Sequence, residues 1–279
     1  MLSALLIVFR EIIEAGLIVG IVLAATKTVP NRSWYVTLGV IGGVAGACLV
    51  AAFAGELASL FQGSGQELFN ATILLVAVAM LTWHNVWMAS HGREMARELK
   101  AAGHAVITGQ RTLAALSVVV GVAVLREGSE VVLFLYGIIA QGGTSNAALA
   151  FGGALGCLAG AGVSALMYFG LLTIPAHRLF SVTSGLITLL AAGMAAQAVL
   201  FLQNGGTITI LSATVWNTSW LLPEDGIIGR LLHTLIGYSD APDGAQILAY
   251  LTTILVMLVL MRTVGKPSPR PVVLPQPGE

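Results

Sequence analysis

Charge is what this sequence has least of. Only 9% of its 279 residues are Asp, Glu, Lys or Arg, while 57% are hydrophobic; an ordinary soluble domain carries roughly 25% charged residues. A chain so poor in charge cannot cover a water-facing surface, so lipid must be its solvent. Thirteen basic residues balance thirteen acidic ones, and no nucleic acid partner is expected. Cysteine is almost missing too. Cys48 and Cys157 both fall inside apolar, glycine-rich runs, which excludes a disulfide framework; no CxxC or Cys/His cluster suggests zinc. They read as small packing residues. The N-terminus lacks a basic n-region, and Arg10, Glu11 and Glu14 interrupt what would be the apolar core of a signal peptide. It reads as a retained first helix rather than a cleaved leader. No pair of histidines at haem-ligating spacing and no Cys/His/Met copper set appears in the loop 204–244, which speaks against a membrane redox enzyme.

Long apolar runs are what the sequence does have. A bilayer core takes about 20 residues of helix, and segments of that length lie near 2–25, 35–57, 68–90, 113–139, 146–172, 179–203 and 245–263. The expected fold is therefore an all-α integral membrane protein of about seven transmembrane helices. The stretch 91–112, with Arg93, Glu94, Arg97, Glu98 and Lys100, reads as a polar connection. The stretch 204–244 is too mixed to span. The tail 264–279 is rich in proline and is expected to be disordered.

The basic residues orient the chain. With the N-terminus outside, the inner connections and tail hold Lys27, Arg32, Arg93, Arg97, Lys100, Arg111, Arg178, Arg262, Lys266 and Arg270, and the outer side holds only Arg230. That asymmetry predicts the N-terminus outside and the C-terminus in the cytoplasm. The acids divide the other way, with Glu56, Glu67, Glu224, Asp225, Asp240 and Asp243 outside. They form either a vestibule that concentrates cations or ordinary solvated loops.

The sequence also repeats itself. Residues 8–24, VFREIIEAGLIVGIVLA, resemble residues 124–140, VLREGSEVVLFLYGIIA, with Arg, Glu and Glu in register. The next helix of each half carries Gly42, Gly43 and Gly46 or Gly152, Gly153 and Gly156. Three helices separate the copies, so the halves cross the membrane in opposite senses. The expectation is a single permease domain over 1–263: repeat A at about 1–90, repeat B at about 113–203, an outer loop at 204–244, and helix seven at 245–263 outside the repeat. Inverted repeats of this kind place a transport site at their interface near the midplane. The glycines also have a packing role, because small residues let membrane helices approach closely.

The repeated charges are the informative residues. A charge at the centre of a membrane costs at least about 2.5–3.5 kcal/mol, and here six lie within two apolar helices. Glu11 and Glu14 are three residues apart and share a helix face; Arg10 and Glu14, four apart, can pair. The same holds for Glu127, Glu130 and Arg126. Crossing at these points, the two helices would gather four carboxylates and two guanidiniums, a formal charge of −2. Carboxylates are hard ligands that suit Mg, Ca, Mn or iron rather than a metal that prefers thiolate. The competing reading is a salt-bridge network that only locks two helices together.

Two membrane-embedded R-E-x-x-E motifs, Arg10–Glu14 and Arg126–Glu130, resemble those of the high-affinity iron permease family, which includes fungal oxidase-dependent permeases and bacterial EfeU-type permeases. The second copy is similar to the family's R-E-G-x-E form; the first has Ile12 in place of glycine. Gln197-Ala198, Phe201-Leu202, Trp216, Ser219, Gly229, Leu232, Gly237-Tyr238 and Pro242 extend the resemblance over roughly residues 1–263. Asn217 stands where many relatives have Asp. The resemblance implies uptake of iron, expected as Fe3+, with Glu11, Glu14, Glu127 and Glu130 as metal ligands and Arg10 and Arg126 balancing their charge. It implies a transporter of the bacterial inner membrane rather than an enzyme, with iron as substrate and no permanent cofactor. An extracytoplasmic ferroxidase, cupredoxin-like or peroxidase-like protein would be the donor. Another cation, such as Mn2+ or Pb2+, is the alternative cargo, since a scaffold does not fix metal identity.

Further residues are weaker candidates for the path. His84 is a functional candidate by its depth, or an interfacial residue beside Trp83 and Trp87. Glu67 could meet the metal at the outer mouth or only begin a helix. Gln197 could line the path. Asp240 and Asp243 flank Pro242 and could recruit a cation or shape a turn.

Overall fold

The computed structural model describes residues 1–60, 65–141, 144–170, 176–224 and 226–264. They form an all-α protein: α1 (Leu2–Ala25), α2 (Arg32–Leu60), α3 (Gln66–Ile107), α4 (Ala114–Gln141), α5 (Asn146–Tyr168), α6 (Ala176–Asn204), α7 (Ile227–Ile236) and α8 (Gly244–Val264). The expected disordered tail lies outside the described residues from 265 onward, as does Asp225.

Among the described residues, five helical stretches are long and apolar enough to cross a membrane: Arg32–Glu56, Gln66–Met88, Asn146–Tyr168, Ser181–Asn204 and Gly244–Val264. Helices α1 and α4 are as long, 24 and 28 residues, but each carries three charged residues at its middle. One boundary differs in kind from expectation. The polar stretch after residue 90 does not leave the helix; α3 runs 42 residues without a break to Ile107, about 63 Å at 1.5 Å per residue. Its charged half keeps an apolar side, for Leu99 and Val106 are buried with Ile18, Val22, Val36 and Leu116. In the stretch 204–244 the short helix α7 ends at Gly237, whose left-handed φ of 67° suits glycine.

Burial is inverted relative to a soluble protein. Leu49, Phe53, Leu158 and Trp83 are exposed, while Arg10, Glu11, Glu14 and His84 are buried; Arg10 is the largest of the fully buried side chains. Apolar residues on the outside and a few charges enclosed within an otherwise apolar core are what the composition requires.

Glycine sets how closely the helices approach. On α2, a Cβ at Gly39 would lie 2.6 Å from the Ser117 carbonyl oxygen and one at Gly43 2.7 Å from that of Gly121, so α2 lies almost backbone to backbone on α4. On α5, a Cβ at Gly156 would lie 2.7 Å from the Leu5 carbonyl oxygen and one at Gly160 2.9 Å from Ile12, so α5 lies the same way on α1. Gly42 faces open space. Helices α3 and α6 meet through Leu74, Ala77, Leu81, Leu190 and Met194, and Asn85 on α3 donates its side-chain amide to the Ser184 carbonyl at 3.2 Å. Met257 anchors α8 to the same core.

Candidate metal centre

Three helices build the centre. Helix α1 brings Glu11 and Glu14 from one face, and α4 brings Glu127 and Glu130 in the same relative register. Helix α3, which carries neither motif, brings His84. Glu11, His84, Glu127 and Glu130 each offer one ligand atom, and these atoms all lie within 4.8 Å of one another. Except for Glu130, which is partly buried, all are buried.

Each arginine holds the second glutamate of its own motif one helical turn away. Arg10 Nε is 2.9 Å from Glu14 Oε1, and Arg126 Nε donates to Glu130 Oε1 at 3.1 Å. Arg10 also reaches Glu11 at 3.4 Å. His84 joins the halves: its Nε2 is 3.2 Å from Glu14 and 3.8 Å from Glu11 of α1, and its Nδ1 meets Glu130 of α4. Glu127 has no ion-pair partner among the described residues, and its Oε2, like Glu11 Oε2, is buried without a hydrogen bond. Buried carboxylate oxygens without partners are costly; a cation at the cluster would satisfy them. Three carboxylates and one imidazole form a mixed hard and borderline donor set. Imidazole is a poor match for Mg or Ca and a good one for iron.

The two ends of the cluster differ. The Arg10 side chain is 1% exposed and that of Arg126 38% exposed. Arg126 covers the face of Trp87, its guanidinium carbon 4.4 Å from the ring centroid, and His91 stacks on Trp87 with planes 9° apart. Trp83, by contrast, is exposed.

The geometry and the sequence together identify the chain, for residues 1–265 match the Iron permease FTR1 family. The chain belongs to that family. The permeases most similar to it include the ferrous iron permease EfeU of Yersinia pestis, 29% identical over 258 residues and 91% of both chains. EfeU of Escherichia coli O6:K15:H31 is 30% identical over 273 residues, 96% of this chain and 98% of its own. EfeU of Shigella sonnei is 29% identical over 257 residues, 91% of this chain and 92% of its own. No solved structure matches the chain.

In this iron permease family member, the remaining candidates stand outside the cluster. Glu67 begins α3 beside Gly205, with Oε2 buried and unbonded. Gln197 is half-buried on α6. Asp240 accepts the Glu224 backbone N–H at 3.1 Å. Asp243 and Gln246 exchange hydrogen bonds, Asp243 Oδ1 accepting from Gln246 N at 2.8 Å and Gln246 Oε1 from Asp243 N at 3.0 Å, a reciprocal cap on the start of α8. Sequence reasoning did not single out Trp87 for the site. Its position one turn after His84, on the same side of α3, was the available signal.

Proposed function

We propose that this protein is an iron permease that passes iron from the outer side of the membrane to the cytoplasm through the cluster of Glu11, His84, Glu127 and Glu130, with Glu14 supporting it from α1. The observation that carries the reading is the convergence of four ligand atoms from α1, α3 and α4 within 4.8 Å in a buried site. A structural charge lock would have placed every carboxylate against a cation; Glu127 is left without one.

In this reading the chain is one permease domain over 1–263 with seven spans, α1 to α6 and α8, in a bacterial inner membrane. Its N-terminus is outside and its C-terminal tail cytoplasmic, as the positive-inside distribution favours. Residues 1–90 and 113–203 act as inverted repeats. The packing supports this: α2 of the first half lies on α4 of the second, and α5 of the second lies on α1 of the first, both through glycines. Iron gathers at the acidic outer face, where Glu67 and Asp240 stand, and Gln197 lies along the way, while Asp243, buried and bonded to Gln246, shapes the turn. It exchanges its water for the carboxylates and the imidazole, and leaves when the halves rock against each other. Arg10 and Arg126 hold the carboxylates in place while the site is empty. A cupredoxin-like, peroxidase-like or ferroxidase protein at the outer face is the proposed donor.

Fe3+ would turn the formal −2 of the four carboxylates and two guanidiniums into +1. A second reading has its own support: the relatives are ferrous permeases by name, and Fe2+ would bring the same cluster to zero. Uptake of radioactive iron into metal-starved cells tests both. Wild type, Glu11→Gln and Glu127→Gln are compared at matched membrane levels, with Fe(II) and Fe(III) supplied separately and Mn2+ and Pb2+ as competitors. Uptake by wild type that is lost in both variants supports the reading, and the better-supplied oxidation state names the cargo. Full uptake by both variants would sink it.

A further inference from the structure

Away from the metal centre, a groove of about 550 Å³ runs between the end of α1 and the end of α5, with Lys100 and His104 of α3 at its side. Glycine opens it. Gly20 removes side chain from the α1 face, and a Cβ there would be only in ordinary contact, 3.7 Å from the Tyr168 ring, whereas the space beside Gly16 is already taken by the Ser164 side chain. Leu17, Ile21 and Met167 make the rest of the lining apolar. The Ser164 hydroxyl in its wall already donates to the Gly160 carbonyl at 2.8 Å.

The basic groups stand at a defined depth. A Cβ at Gly103 would lie 2.7 Å from Ala25 Cβ, so this part of α3 is level with the end of α1, where a spanning helix meets the headgroups. Charge is segregated there. At about 100° per residue, Lys100 and His104 lie about 40° apart on the helix, whereas Glu94 and Glu98 lie about 80–160° away from them, with Arg97 between the two groups. Arg97, Lys100 and His104 are exposed. An apolar cleft with cations at its polar end is complementary to a molecule that is anionic at one end and hydrocarbon at the other.

We propose that this groove binds an anionic glycerophospholipid from the leaflet on the basic side of the membrane, its acyl chain along Gly20, Leu17 and Met167 and its phosphate at Lys100 and His104. Zwitterionic lipid would fill the groove without a net charge for the cations to hold, and free phosphate would lack the chain. A lysine near an anionic headgroup is worth about fivefold in binding, and the His104 ring can add a hydrogen bond to the phosphate. The proposal uses no residue of the metal centre and stands or falls apart from it.

The test uses the full chain purified in detergent and supplied with phosphatidylglycerol and phosphatidylethanolamine of identical acyl chains. Native mass spectrometry reads retained lipid and a thermal melt reads stabilisation. The wild type should retain phosphatidylglycerol at least fivefold over phosphatidylethanolamine and melt higher with it. The Lys100→Gln/His104→Gln double variant should fold and lose the preference. Gly20→Leu should lower retention of both lipids. Inorganic phosphate alone should leave the melt unchanged. Equal retention of the two lipids by wild type, a preference that survives the double variant, or a phosphate effect equal to that of phosphatidylglycerol would each overturn the proposal.

Discussion

Arg126 is held from two sides: its guanidinium lies 4.4 Å from the centre of the Trp87 ring, and its Nε donates to Glu130 at 3.1 Å. The indole thus fixes the arginine that fixes a ligand. A cation over an aromatic face is worth about 0.5–2 kcal/mol depending on solvation. Trp87→Leu keeps apolar bulk and removes the ring face; iron uptake should fall about threefold to tenfold at unchanged membrane level. Trp87→Phe should retain most of it. Equal loss in both variants would mean that Trp87 serves packing alone.

Among the described residues, His84 is the one side chain that touches carboxylates of both motif helices. His84→Ala should therefore lower both the binding of iron to purified protein and its uptake by tenfold or more. His84→Gln, which keeps polarity but not imidazole coordination, should not rescue either. Calorimetry with iron on the purified chain and uptake in cells check this together.

The two arginines should fail differently. Breaking a buried ion pair by removing one partner costs about 3–5 kcal/mol, and Arg10 is buried against Glu11 and Glu14. Arg10→Ala should lower the melting temperature and the amount of protein in the membrane. Arg126 is 38% exposed and less enclosed, so Arg126→Ala should lower the melt less than Arg10→Ala does and reduce uptake. Thermal unfolding in detergent beside uptake at matched levels separates the two.

Neighbouring glycines give a sharp packing test. Gly43 has no room for a methyl group, with the Gly121 carbonyl oxygen 2.7 Å away, whereas Gly42 faces open space. Gly43→Ala should destabilise by about 1–3 kcal/mol, the usual cost of overpacking, and Gly42→Ala should be neutral. The comparison of their melting temperatures decides it.

Asp243 should prove structural. Its reciprocal bonds with Gln246 cap α8, so Asp243→Ala should cost about 1 kcal/mol of stability. Iron binding by the purified protein should be unchanged.

Much of this was legible in the sequence for one reason: charge is so expensive in lipid that Arg10, Glu11, Glu14, Arg126, Glu127 and Glu130 could not be incidental. Their helical spacing also announced the pairs Arg10–Glu14 and Arg126–Glu130. Spacing within a helix says nothing about a third helix, so the place of His84 between the two motifs was not readable; it depends on how α3 crosses α1 and α4. The length of α3 was hidden for a related reason. Arg93 to Lys100 look like a loop by composition, but Leu99 and Val106 keep an apolar side that packs on α1, α2 and α4. Of each glycine triplet, the sequence could not tell that Gly43 is packed and Gly42 is free, because that depends on the rotation of α2 against its neighbour.

The six charges within two apolar helices also bear on how the chain is made. Helix α1 leaves the ribosome with Arg10, Glu11 and Glu14 at its middle, and the groups on α3 and α4 that meet them have yet to be synthesised. Insertion of α1 alone would place three charges in hydrocarbon, each at about 2.5–3.5 kcal/mol. Its stable residence in the bilayer therefore waits on His84 and on the second motif, more than a hundred residues later in the chain. Assembly of the carrier site and retention of the first helix are one event, so a chain truncated before Arg126 should be recognised and degraded rather than accumulate as a half-transporter.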